Sequence, residues 1–355
     1  MPELKDELII LRKNKKMLID FRSDTVTQPT PAMREAMMHA KIGDDVFGED
    51  PSVNELEQKT AALFGMEAAL YCASGTMTNQ IAIKCHTQPG DEVICDETSH
   101  IYQYEGGGIA SNAGASVKLL TGDRGRITAS MVAAAINPDD VHKAKSRLVS
   151  LENTSNRGGG SCYAFEDIEA IKKVCVQNQL GFHLDGARLW NALVAKNETT
   201  QQYGKVFDSI SVCMSKSLGC PVGSILLGTK DFIKKARRIR KAFGGGMRQA
   251  GFLAAAGIYA LDNHIQLLAE DHQHAQAIAN TIAKKDFVQT ILPVETNIII
   301  FEVNEKTTAP ALVEQLKKEN ILGYAISPNR VRLVLHLDIT KEMVEKTIEV
   351  FNSLP

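Results

Sequence analysis

This 355-residue chain has no stretch that could cross a membrane as a helix. Uncharged runs such as Ala68–Ile83 and Gln249–Leu261 fall short of the roughly 20 apolar residues a span needs, and the first is full of Ser, Thr, Asn and Gln. Nor is there an excess of one charge. With 42 acidic and 40 basic side chains the formal charge is −2. That excludes a general binder of nucleic acid or anionic lipid surface, which needs a basic surplus. Cys-x-x-Cys is missing, and the 7 cysteines mostly sit in apolar company (Cys72, Cys95, Cys213), as buried thiols do in reducing compartments. The first residues carry Glu3, Asp6 and Glu7 where a secretory signal needs bases, and they lack its apolar core. A soluble cytoplasmic protein is expected. No G-x-G-x-x-G follows the first strand-like run, and Gly106–Gly108, Gly158–Gly160 and Gly244–Gly246 have other spacings. A nicotinamide oxidoreductase on a dinucleotide fold is therefore disfavoured.

What is present is alternation of short apolar runs with helix-length segments. The runs are Ala68–Cys72, Glu92–Cys95, Ser116–Leu119, Arg147–Leu151, Gly181–Asp185, Ser209–Met214 and Gly223–Gly228. Several are apolar at nearly every position, as strands covered on both faces are. The pattern predicts an α/β fold with a doubly wound, mainly parallel seven-stranded sheet. A long helical stretch is expected from Gln249 to about Lys284, then strands at Asn297–Val303 and Arg330–Leu335 with helices at Ala309–Glu319 and Lys341–Asn352. The expected division is a charged N-terminal arm over 1–17, a large domain over 18–260 and a smaller C-terminal αβ domain over 261–355.

In open α/β sheets ligands bind beyond the carboxyl ends of strands, and three strand ends here carry polar clusters. Ser74-Gly75-Thr76 follows the first run and opens a helix. Such a turn cradles an anion on free N–H groups, or simply caps the helix. His183-Leu184-Asp185-Gly186-Ala187-Arg188 ends another run; a buried acid there needs a cationic partner, either a ligand or Arg188 itself. Ser215-Lys216 follows the apolar Ser209–Met214, where an amine held out of water is an available nucleophile, unless it snorkels at the protein's edge. An anion cradle, a strand-end acid and a strand-end lysine together form the set that pyridoxal phosphate requires: one each for its phosphate, its pyridine nitrogen and its aldehyde.

On longer motifs the chain resembles the L-threonine aldolases of low specificity, among the fold-type I pyridoxal-phosphate enzymes and the broader β-eliminating lyase group. The matching segments are Asp20–Thr27, Gly43–Pro51, Ser74–Thr76, His183–Arg188, Ser215–Gly223, Arg240-Lys241 with Gly244–Gln249, and Val331–Asp338. The resemblance implies retro-aldol cleavage of a β-hydroxy-α-amino acid to glycine and an aldehyde, in a homodimer or homotetramer with sites at the dimer interface. It implies that Lys216 carries the cofactor, that Asp185 faces its nitrogen and that His100 stacks on its ring. Gly75 and Thr76 hold the phosphate, and Ser74 and Ser215 are further cofactor-binding residues. Ser23, Arg188 and Arg332 bind the substrate carboxylate, with Arg188 also near the ring hydroxyl. His142 contacts the substrate hydroxyl, so that His100, His142 or a water is the base. Lys241 and Arg248 complete the cofactor site, and no metal is implied. β-Elimination, racemisation and transamination remain open on the same frame.

Three positions depart from the family pattern: Ser155 where histidine is usual, Phe47 for tyrosine and Ser217 for glycine. None removes a cofactor contact, while loss of an imidazole and a phenol is expected to shift substrate or stereochemical preference. Of the remaining histidines, His183 is expected beside Asp185, and His272 and His274 point apart on a helix.

Overall fold

The computed structural model describes residues 17–354, so the arm expected over 1–17 lies, but for Met17, outside the described residues. Ile19–Asp20 forms a short first strand, β1. The large unit is built on Ala68–Cys72 (β2), Asp91–Asp96 (β3), Ser116–Leu120 (β4), Lys145–Glu152 (β5), Gly181–Gly186 (β6), Ser209–Cys213 (β7) and Ser224–Gly228 (β8). These are the seven runs anticipated from their apolar character, and they form one sheet in the order β2-β8-β7-β6-β5-β3-β4. Only β8 runs against the others; it returns from β7 and pairs antiparallel with both β7 and β2. Alternate residues feed opposite faces. Ile94, Val149 and Leu184 pack into the main core on one side, and Val93, Cys95 and Leu148 into a smaller cluster on the other. The helix Gly75–His86 covers the face opposite the main core, while Pro51–Phe64 and Gly251–Asn263 pack within the main core.

The predicted long helix after Gln249 is two helices, Gly251–Asn263 and Leu268–Ile282, separated at His264 and a single 3-10 turn. His264 Nδ1 lies 2.8 Å from the carbonyl oxygen of Leu218, which anchors the break against the loop that follows β7.

The C-terminal unit has a four-stranded antiparallel sheet built from Val288–Ile291 (β9), Ile298–Val303 (β10), Tyr324–Ala325 (β12) and Arg330–Val334 (β13), with the short Ile321–Leu322 (β11) beside it. β9, β11 and β12 were not anticipated; β9 is largely solvent-facing, and the other two are only 2 residues long. β1 pairs in parallel with β11, and Ile19 and Phe21 enter the C-terminal core with Phe301 and Phe351. The described residues therefore begin in the small unit and cross to the large one at about Arg22–Thr27, a segment counted with the large domain from sequence alone. No helix of the described residues is long and apolar enough to cross a membrane.

Candidate active site

The strand ends of β6 and β7 face a cleft between the two units. A cavity of about 340 Å³ opens there, lined by Ser23, Thr25, His100, Tyr104, Asn156, Arg157, Arg188, Lys216, Ile326 and Arg332. Lys216 lies three residues beyond β7 and is half-buried. Its loop folds back on itself: the Gly219 N–H donates to Lys216 O at 2.8 Å and the Met214 N–H to Gly223 O at 2.9 Å. Gly223 has φ +123°, and a Cβ there would lie 2.6 Å from the Tyr71 ring, so only glycine closes this loop.

Asp185 ends β6 and is 2% exposed. Its carboxylate accepts from the Ala187 N–H at 3.0 Å and from Asn79 Nδ2 at 2.9 Å. Among the described residues no Lys or Arg forms a salt bridge with it, and its hydrogen-bond donors are one amide and one backbone N–H. His100 sits close by, its Nδ1 3.0 Å from Glu105 Oε1 and its backbone N–H donating to Glu152 Oε2 at 2.7 Å. Burial pulls the His100 pKa down, but the Glu105 hydrogen bond and the Asp185 charge overcome it and leave it above the ordinary value. Glu152 is driven the other way for a carboxylate: burial and the nearby Asp185 charge raise its pKa.

Across the cavity the charges reverse. Arg188 is held by Asp24, Nε to Oδ2 at 2.8 Å and Nη2 to Oδ1 at 2.7 Å, with both side chains buried. Burial would raise the Asp24 pKa; the forked guanidinium overrides that and holds it well below the usual carboxylate range. The Asp185–Arg188 ion pair that their spacing offered does not form. Arg332 Nη1 donates to Asn156 Oδ1 at 2.9 Å and Nη2 to Arg22 O at 3.0 Å, while its buried Nε has no partner. Burial first, then the facing Arg188 charge, push the Arg332 pKa down to about 10. Of the three guanidiniums that line the cavity, only Arg188 has a carboxylate among the described residues; Arg332, and Arg157 whose Nε donates to the Tyr104 hydroxyl, leave positive charge for a ligand.

Gly75 opens the helix next to this site. A Cβ there would stand 2.6 Å from Cys213 Sγ at the end of β7, so the helix N-terminus is pressed against the lysine-bearing strand. Ser74 Oγ accepts from the Met77 N–H at 3.2 Å, so the turn caps its helix as well as meeting β7.

The family profile described as "Beta-eliminating lyase" matches residues 20–306. The chain belongs to the β-eliminating lyase family. It is 42% identical over 328 residues to the low specificity L-threonine aldolase of Escherichia coli strain K12, spanning 92% of this chain and 96% of that protein. It is 38% identical over 340 residues to low-specificity L-threonine aldolase 1 of Arabidopsis thaliana, spanning 94% and 95%. The solved structure of Leishmania major threonine aldolase superposes with a TM-score of 0.83 at 21% identity, covering 94% of this chain and 98% of that one, which shows a shared fold.

Within this β-eliminating lyase fold, the structure brings Ser23, His100, Arg188, Lys216 and Arg332 to one cavity, with Asp185 and the Ser74–Thr76 turn beside it. It does not bring His142, which stands exposed on its own loop with Nδ1 2.8 Å from Asp140 Oδ1. Lys241 lines a separate groove with Arg237 and Arg238, and Arg248 pairs with Asp44 at 2.8 Å over the exposed Phe47 ring. Ser155 is buried and accepts from the Gly158 N–H at 3.2 Å, so its side chain serves its own loop, not the cavity. Ser217 is buried too, and donates to Asp24 Oδ2 at 2.9 Å. Sequence reasoning missed Asp24, Asn79, Glu105 and Glu152. A signal existed for Asn79: Thr78, Asn79 and Gln80 form a polar run inside a helix, and all three are buried.

Proposed function

We propose that this chain is a pyridoxal-phosphate-dependent aldehyde-lyase that cleaves L-threonine, L-allo-threonine and related β-hydroxy-α-amino acids to glycine and an aldehyde. The observation that carries this reading is a lysine amine sharing one cavity with three guanidiniums, Arg332 and Arg157 having no acidic partner among the described residues. The names borne by its relatives support the same chemistry.

The residues present suit the cofactor. Asp185 is a buried anion served only by neutral donors, matched to a protonated ring nitrogen, and Gly75 leaves no room for a side chain where a helix N-terminus meets β7. Lys216 would hold the aldehyde carbon, His100 the ring face, and Ser74, Gly75, Thr76 and Ser215 the phosphate. Bound there, pyridoxal phosphate supplies an electron sink for the breaking Cα–Cβ bond. Arg332 and the free edge of Arg188 take the substrate carboxylate, with Ser23 beside them, and so fix which Cα bond faces the ring. His100 has Nδ1 committed to Glu105, so its neutral ring offers the Nε2 lone pair to the β-hydroxyl proton, a role worth about 10²–10⁴-fold in rate. His142 lies outside this cavity and has no role in it, while the roles expected of Lys241 and Arg248, also outside it, fall to a second copy of the chain in a homodimer or homotetramer. All 7 cysteines are free and most are buried, which supports a reducing, cytoplasmic setting.

The test is to incubate the cofactor-loaded protein with L-threonine and L-allo-threonine separately and measure acetaldehyde and glycine, with Lys216→Ala alongside. Equal yields of both products, abolished in the variant, are expected. Keto acid or ammonia in place of acetaldehyde would reassign the reaction to transamination or β-elimination.

A further inference from the structure

Behind Asp185 lies a file of polar side chains that the proposed reaction does not touch. His86 Nε2 is 2.8 Å from Ser209 Oγ, and Ser209 Oγ is 2.8 Å from His183 Nδ1. His183 Nε2 lies 3.2 Å from Asn79 Oδ1, and Asn79 Nδ2 donates at 2.9 Å to both Asp185 Oδ2 and Glu105 Oε1. Two periodicities build the file. His183 and Asp185 are two apart on β6 and share a face; Asn79 and His86 are two turns apart on the helix that covers it.

The donor and acceptor roles follow by elimination. Carboxylates accept, so Asn79 must turn its NH₂ towards Asp185 and Glu105 and its oxygen towards His183. That oxygen cannot donate, so His183 carries a proton on Nε2. Burial keeps His183 neutral, its pKa pushed down to about 3, so Nδ1 is a bare lone pair and the Ser209 hydroxyl donates to it. Ser209 in turn accepts from His86 Nε2–H; burial holds that ring neutral as well, at about 4. Every link points towards the carboxylates. Reversing the Asn79 amide would set its oxygen against both acids and its N–H groups against a histidine that already donates.

We propose that Asn79, oriented by His183 and Ser209, is the positioning residue that fixes Asp185 for the cofactor. This rests on the cofactor reading above. Asn79 and His183 are nearly or fully buried and neither lines the cavity, so Asn79 acts through Asp185 and His183 acts through Asn79.

The apoproteins of Asn79→Ala, His183→Phe, Ser209→Ala and the Asn79→Ala/His183→Phe double variant are titrated with pyridoxal phosphate, following the absorbance of the bound form, and each is melted in parallel. Asn79→Ala is expected to weaken the dissociation constant about 10–100-fold, the range of a lost hydrogen bond to a charged group. His183→Phe should weaken it about fivefold and Ser209→Ala about twofold, in the order of their distance from Asp185. The double variant should bind no more weakly than Asn79→Ala alone, because His183 has no other route to Asp185. Should His183→Phe fail to fold, Ser209→Ala keeps the test open. Unchanged dissociation constants with lowered melting temperatures, or additive losses in the double variant, would overturn the inference while the cofactor reading stands. An unaltered apoprotein that takes up no pyridoxal phosphate would overturn both.

Discussion

Beside the cavity, the buried Asp185 carboxylate is held by the Asn79 amide and the Ala187 N–H, with no Lys or Arg bonded to it. On the wall that carries Arg188, three residues along the chain, a buried guanidinium is held by a full carboxylate. Neutral donors fix an anion in place without cancelling it, so Asp185 still has its charge to give to a ligand. A bidentate acid uses up most of what its arginine offers, so the attraction for a substrate carboxylate rests mainly on Arg332. Preorganisation by dipoles and preorganisation by counter-charge thus leave different amounts of charge behind.

The comparison breaks most visibly at Asp24. Asp24→Asn strands Arg188 as a buried unpaired cation, and a loss of about 3–5 kcal/mol of stability is expected, read as a lowered urea midpoint. A midpoint within experimental error of the unaltered protein would mean that the pair is solvated and that the two walls do not differ. Next comes Glu105→Gln. The Glu105 hydrogen bond helps to hold the His100 pKa above its ordinary value, and His100 must be neutral to act as a base. Activity should therefore rise with pH through that raised pKa, and the variant should shift the acid limb to lower pH with a fall in kcat of about tenfold. An acid limb that stays put would exclude His100 as the group that titrates there. The smallest effect is expected from Ser217→Gly, which removes one donor from Asp24 but leaves its fork to Arg188. KM for the amino acid should rise about threefold to tenfold with kcat little changed.

On each wall the sequence showed the residue that faces the ligand and hid the residue that holds it: Asp185 without Asn79, Arg188 without Asp24. Strands such as β3, β7 and β8 could be read because they are buried at every position, so apolar runs and strand ends nearly coincide; β4, mostly exposed, was read from its β-rich run alone. Asp185 and Lys216 fall at such ends and needed only local pattern. Arg188 was also found locally, yet its partner is 164 residues away in a stretch with no strand or helix pattern of its own. Its neighbour Asp185 was the nearer candidate, and nothing in the spacing favours Asp24. The long helix after Gln249 was read as one piece because its two halves are both helical; the break at His264 comes from a tertiary contact to Leu218.

The order in which the ribosome delivers these parts adds a consequence. β1 waits for β11, and the Arg332 guanidinium reaches the Arg22 carbonyl across 310 residues of chain. Every strand of the large sheet has been made before the first strand finds its partner, and pairing at such separation comes late because the chain must close its largest loop. During synthesis the molecule therefore passes through a stage in which Lys216 and Asp185 already have their strands while Arg332 has not yet been made. Two residues proposed for the cofactor thus stand on their strands before one proposed for the substrate carboxylate exists.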